Sequence, residues 1–363
     1  MSTNDVSIQP LSPGPLSGIR IVDLSAVVSG PMAAVVLADQ GAEVIKIEPP
    51  GWGDGVRGLG ASRNGVSAIF TLINRNKKSV GINLKHPQGR QLVSELIGTA
   101  DVVMQNYRPG KMAKLGLDYD ALKEEHPELV YLSISGMGDV GPYQGQKVYD
   151  YVIQGMSGLL EAQGVDQRYA MVRTIIFDKV TALTAAQAIT AALFARERGA
   201  GGQHIGLSML DTALYFNWPD LMWNQSFEGP GVARAGDLAD LYDVAPTQDG
   251  AVVAHHLGSD LSDYSTEAII ELFAANEVPV GKVNDRNAII SDPQVVAAKS
   301  LERFEHPRAG AMIHPRAPAR FSQTQLGANK PSPEVGEHTA EILMDLGYSL
   351  ETLQAWAREG AIG

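Results

Sequence analysis

An α/β fold with a parallel sheet is predicted by three observations. Short apolar runs alternate with helix-like stretches from Ile19 to Ile134. Pro31 and Gly41 bracket the first crossover at the places where helices start and stop. The chain's 363 residues are 44% apolar, enough for a sizeable core. Ile19 to Leu24 reads as the first strand, and Ser29-Gly30-Pro31 opens a helix through Met32 to Ala38. Gly41 ends that helix and Glu43 to Ile47 is the second strand, giving a βαβ unit whose crossover is expected to be right-handed. The alternation continues with Lys78 to Leu84 extended, Gln88 to Thr99 helical, Val102 to Gln105 extended, Tyr119 to Glu125 helical and Leu129 to Ile134 extended. The composition changes after Asp211, and Gly229-Pro230-Gly231 reads as a linker. Beyond it, Leu241-Tyr242 and Ala251 to His255 flank Asp249-Gly250 as a hairpin, and Thr266 to Ala275 is a helix. Arg303 to Pro333 is Pro-rich and loop-like, and Thr339 to Leu346 is a closing amphipathic helix.

Charge and composition narrow the function. A net charge of −12 repels phosphate backbones and anionic lipid, so neither nucleic acid nor membrane is an expected partner. Without cysteine there is no disulfide, no Cys-ligated zinc and no cysteine thioester chemistry. Met1 to Gly18 lacks the apolar core of a secretory signal, and no run approaches about 18 apolar residues, so a cytoplasmic setting is expected.

Asp178 stands out, a lone carboxylate in Thr174-Ile175-Ile176-Phe177-Asp178-Lys179-Val180. Ionising it among apolar neighbours needs a compensating hydrogen bond or cation. It reads either as a helix cap serving the N–H of Val180 or Thr181, or as a nucleophile. The turn Ser25 to Gly30 precedes a helix N-terminus suited to an anion, but it is not Gly-x-Gly-x-x-Gly, and Glu48 alone does not make a ribose site. Arg75, Lys77, Lys78, Lys85, Arg108, Lys111 and Lys114 form a basic cluster, either a solvated face or a polyphosphate pocket. His255-His256 with Asp260 and Asp263 matches no metal-binding spacing, and no metal is expected. No Gly-x-Ser-x-Gly elbow and no Walker loop is present.

Several ordered stretches resemble the family III coenzyme A transferases of CaiB/BaiF type, the group of formyl-CoA transferase, carnitine CoA-transferase and α-methylacyl-CoA racemase. They are Leu16 to Leu24, Leu37 to Glu48, Asn74 to Ser79, Asn106 to Gly110, Gly199 to Gln203 and Gly336 to Thr339. The resemblance implies a large Rossmann-like α/β domain with a parallel sheet, made from both chain ends, plus a small central α+β domain. It divides the chain as 1–225, 226–325 and 326–363 and implies an interlocked homodimer. It puts the nucleophile at Asp178. It puts coenzyme A contacts on Val27, Val28, Ser29, Ile82, Lys85, Asn106, Tyr107, Arg108, Lys114 and the segment Lys147 to Asp150, with Lys147 and Tyr149 as the contributing side chains.

The activity implied is transfer of CoA from an acyl-CoA to a small carboxylic acid through an aspartyl-CoA thioester, with no tightly bound cofactor. A racemase acting at the α-carbon and an acyl-CoA-binding protein or hydrolase are the alternatives. The racemases of the family carry a His where this chain has Tyr149, and a phenol is a poorer base near pH 7. Pro49 stands where formyl-CoA transferase has a basic residue, its Gly-rich covering loop has no clear counterpart, and the small domain is short.

Overall fold

The computed structural model describes residues 14–164, 168–255, 258, 260–326 and 329–363. They divide between two compact units, one ending at Phe216 and resuming with Arg303–Gly363, the other spanning Asn217–Glu302. The first unit is thus made from both parts of the chain. It opens with β1 (Arg20–Asp23), α1 (Ser29–Asp39) and β2 (Glu43–Glu48). A small ribbon of β3 (Ser62–Arg63) and β4 (Val66–Ser67) leads to α2 (Ala68–Asn74) and β5 (Lys77–Gly81). Then come α3 (Pro87–Ile97), β6 (Val102–Gln105), α4 (Tyr119–Leu122), β7 (Val130–Ser135), α5 (Asp150–Met156), α6 (Leu159–Ala162), α7 (Ile176–Ala195), β8 (His204–Ser208) and α8 (Met209–Asn217).

Six strands pair in the order β5-β2-β1-β6-β7-β8, every pairing parallel. The central strands are largely buried around Ile21, Val22, Val102, Val103 and Met104, as both faces of a parallel sheet are covered. The chain steps outward from β1 to β2 and β5, then returns to β6 on the other side of β1. At that reversal the loops after β1 and β6 border a crevice at the carboxyl ends of the strands. The helix α7 lies along α1, and alanines buried on both, Ala33 and Ala34 against a partner rich in Ala182, Ala185 and Ala186, permit close approach. On the sheet, Leu92, Leu96 and Ile97 of α3 share a core with Ile45, Val80 and Val103.

The second unit holds a three-stranded antiparallel sheet of β9 (Tyr242–Pro246), β10 (Ala251–His255) and β11 (Val280–Lys282). The helix α9 (Thr266–Ala275) covers it, and α10 (Ala288–Ser291) and α11 (Pro293–Ala297) follow. The expected hairpin and helix are both present. Asp249 ties them together, because its Oδ1 accepts from the N–H of Thr266 at 2.7 Å.

Three expectations need correction. Arg303 to Pro333 is not loop throughout, since β12 (Leu301–His306) pairs with β13 (Gly310–Pro315). The closing segment holds two helices, α12 (Thr339–Asp345) and α13 (Leu350–Arg358), whose Ile342, Leu343 and Leu353 join the core of the large sheet. The helix after Tyr119 is a single turn, and β8 was not expected as a strand.

Candidate active site

The crevice floor is the turn from Ser25 to Ser29. Asn106, just past β6, grips it twice: the N–H of Ala26 donates to Asn106 Oδ1 at 2.9 Å, and Asn106 Nδ2 donates to the carbonyl of Ala26 at 2.6 Å. Val27 is held at φ 69°, the left-handed region that a β-branched side chain rarely enters. Its N–H donates to both carboxylate oxygens of Asp54 at 3.2 Å. Lys46 Nζ, buried beneath, donates to Asp54 Oδ2 at 3.0 Å and to the carbonyl of Ser25 at 2.9 Å. Gly30 completes the turn, because a Cβ there would lie 2.2 Å from the side chain of Ser25.

Asp178 is half-buried in the first turn of α7. It is not the cap. The N–H groups of Phe177 and Asp178 both donate to Oδ1 of buried Asp150, at 2.6 and 3.0 Å. Asp150 Oδ2 in turn accepts from Gln154 Nε2 at 2.6 Å. Gln154 also ties down the segment leading into α7 through the N–H of Val172 and the carbonyl of Thr174. Burial, reinforced by the nearby Asp150 carboxylate, pushes the Asp178 carboxyl up to about 7, while a hydrogen bond from the N–H of Ser29 opposes the rise. The side chain is therefore a carboxylate that becomes available near neutrality, facing a helix N-terminus.

A cavity of about 240 Å³ contains Asp178 together with Val27, Ser29, Asn106, Tyr107, Arg108, Lys147 and Tyr149. Its far wall is the loop after β7, where Gly136 is needed because a Cβ would strike Val148 at 1.9 Å. A second cavity, of about 390 Å³, is lined by Ile82, Lys85, Lys111, Trp52 and the same Tyr107. Tyr107 thus borders both spaces. Its N–H is anchored to Gln105 Oε1 at 2.7 Å.

Two residues named from the sequence fall elsewhere. Val28 is buried and faces a separate apolar cavity between α1, α2 and α7. Lys114 is exposed and lines neither space beside Tyr107, whereas its neighbour Lys111 does. Three of the seven basic residues serve the fold instead. Arg75 pairs with Asp39, Lys78 with Glu43 and Glu341, and Lys77 Nζ lies in the interior 3.0 Å from Asp23 Oδ2. Glu48 is likewise internal, accepting from Arg57 at 2.6 Å and from Ser79 Oγ at 2.7 Å, so it is no ribose acid. Among the described residues no group of three or more His, Asp or Glu is placed to hold a metal, and His256 lies outside them. Among those residues, too, no helix is long and apolar enough to cross a membrane. Asp150 and the Lys46–Asp54 pair were not singled out by sequence reasoning. Asp150 had one available signal: it is the acid at the end of the Lys147 to Asp150 segment, twenty-odd residues before an apolar helix that lacks its own polar cap.

The model of CoA-transferase family III matches residues 16–261 and 251–339. The succinate–glutarate CoA-transferase of Agrobacterium fabrum is 33% identical, over 92% of this chain and 96% of its own length. The human succinyl-CoA:glutarate CoA-transferase is 31% identical, over 92% of this chain and 86% of that one. The crystal structure of a CaiB/BaiF family protein from Brucella suis superposes with a TM-score of 0.81 at 28% identity, covering 92% of this chain and all of that one. With that coverage, and with the parallel sheet and its crevice in place, this chain belongs to CoA-transferase family III and is a CoA-transferase.

Proposed function

We propose that Asp178 is the nucleophile of a ping-pong CoA transfer. The observation that carries this reading is its setting: a half-buried carboxylate that lines the strand-end cavity together with Ser29, Arg108 and Lys147. One Asp178 oxygen attacks the thioester carbonyl of the donor, and the C–S bond breaks to give an acyl-aspartyl anhydride and CoA thiolate. The thiolate then attacks the aspartyl carbonyl, expelling the donor acid and leaving the aspartyl-CoA thioester. The acceptor carboxylate runs the same steps backwards. A carboxylate is a weak nucleophile, so alignment has to supply much of the rate; effective molarity contributes about 7–11 kcal/mol in well-oriented systems. Backbone N–H groups at the start of α1, where Ser29 shares the cavity with Asp178, would stabilise a developing oxyanion.

In this reading coenzyme A extends from the Asp178 cavity past Tyr107 into the larger one. Lys85 and Lys111 meet its phosphates there, and Ile82, Tyr107 and Trp52 wall its base. Val27, Ser29, Asn106, Lys147 and Tyr149 border the thioester end. Val28 acts through the backbone of the turn, and Lys114 contributes long-range charge at most. The acids exchanged are small dicarboxylates, as in the names of the glutarate relatives, with Arg108 and Lys147 the cations beside Asp178 that suit a second carboxylate. No tightly bound cofactor, a homodimer and a cytoplasmic setting belong to the same proposal. Incubating the enzyme with succinyl-CoA and mapping the covalent CoA adduct by mass spectrometry tests it. The adduct should fall on the peptide holding Asp178 and vanish in Asp178→Ala. Undiminished transfer by that variant overturns the reading.

A further inference from the structure

We infer that the buried Lys46–Asp54 pair is a positioning device for the reaction, holding the strained Val27 turn so that Ser29 N–H is presented to the Asp178 carboxylate. The inference rests on Asp178 being the nucleophile, as proposed above. Its own basis is geometric. Both side chains are 1% exposed, so the pair has no part in solubility or surface charge. Each partner makes a second bond to the same turn: Lys46 to the carbonyl of Ser25 and Asp54 to the N–H of Val27. Those two attachment points flank Ala26, which Asn106 grips from the other side. The turn is thus clamped at three consecutive residues, in a conformation Val27 does not adopt freely.

Asp54 is itself fixed, its N–H donating to Glu48 Oε2 at 2.9 Å, and Glu48 is held by Arg57. A buried ion pair is a poor source of stability compared with apolar packing, and its best-attested use is to fix one arrangement among several. Here the arrangement fixed is the one in which Val27 and Ser29 line the same cavity as the reactive carboxylate. Several charged groups share this surrounding. Asp150 faces Asp178 from α5, Arg108, Lys147 and Tyr149 line its cavity, and Lys179 follows it on α7 with its ammonium on Thr174 Oγ1. Asp23, Glu48 and Asp54 surround Lys46.

The test compares Asp54→Asn and Lys46→Met with the parent enzyme, using acyl-CoA binding, the rate of covalent adduct formation and its pH dependence. If the clamp positions the turn, adduct formation per folded molecule falls about 10- to 100-fold while the dissociation constant for CoA moves less than about threefold. Loss of the Ser29 hydrogen bond also moves the acid limb of the profile to higher pH, because that bond favours the ionised carboxylate. Glycine accepts a φ of 69° without strain, so Asp54→Asn/Val27→Gly should recover part of the lost rate and return the limb toward its original pH. This double variant also serves if either single variant folds poorly. A purely structural pair lowers thermal stability but leaves rate and limb per folded molecule unchanged, and that result overturns the inference. Failure of the nucleophile assignment is separately visible, because Asp178→Ala would then still form the adduct.

Discussion

Asp178 is subject to two opposing influences at close range. Burial and the Asp150 carboxylate favour its neutral form, while Ser29 N–H favours the anion. The balance near 7 suits a nucleophile, because a more basic carboxylate attacks better provided it is still ionised at the working pH. Activity should therefore fall as pH drops through 7, losing about tenfold between pH 8 and pH 6. In Asp150→Asn one like charge is removed while the acceptor for Phe177 and Asp178 N–H remains. Its absence lowers the Asp178 value, so the acid limb should move to lower pH; a kcat/KM profile measures this. A shift upward or none would mean that Asp150 acts on the helix alone. From the sequence, Asp178 was identifiable because a charge interrupts an apolar run. Its regulator was not, because Asp150 lies 28 residues away and meets it only in the folded chain.

At the scale of elements, the sheet was legible where strands are apolar on both faces. Ile21-Val22, Val44-Ile45 and Val102-Val103-Met104 are short apolar centres, and their strands appear where those centres predict. The last strand, β8, was hidden because it is an edge with exposed alternate positions and follows a glycine-rich turn. The ribbon β12–β13 was hidden by neighbouring prolines, which read as loop. The basic cluster failed differently. Charge counting treats Lys77 as a surface cation, whereas its stem enters the sheet and its ammonium satisfies Asp23, Pro31 carbonyl and Asn74. Burial outweighs those partners and lowers the Lys77 ammonium to about 8. Replacing it with methionine strands the Asp23 carboxylate, so Lys77→Met should cost about 3–5 kcal/mol in urea unfolding. Lys77→Met/Asp23→Leu should cost less than the single change, since no lone charge then remains inside.

At the scale of the molecule, the large unit leaves aromatic side chains uncovered on α7 and α8. Tyr215 is 86% exposed and Phe194 64%. The proposed homodimer would cover such a surface. Sedimentation should then give a particle of two 363-residue chains, and Tyr215→Glu should weaken the association. A stable monomer at micromolar concentration would leave these residues for another partner.

The crevice gathers Val27, Asn106, Gly136, Tyr149 and Asp178 from five places along the chain. None of these segments holds the others' geometry when extended, so nothing resembling the site survives in the denatured ensemble. A ligand for it therefore has affinity for one side of the unfolding equilibrium only, and mass action makes the ligand a stabiliser. Free coenzyme A at a hundredfold excess over its dissociation constant should add about 2.7 kcal/mol and raise the melting temperature with each further increment. Cells rich in the substrate would, by the same arithmetic, keep more of this enzyme folded.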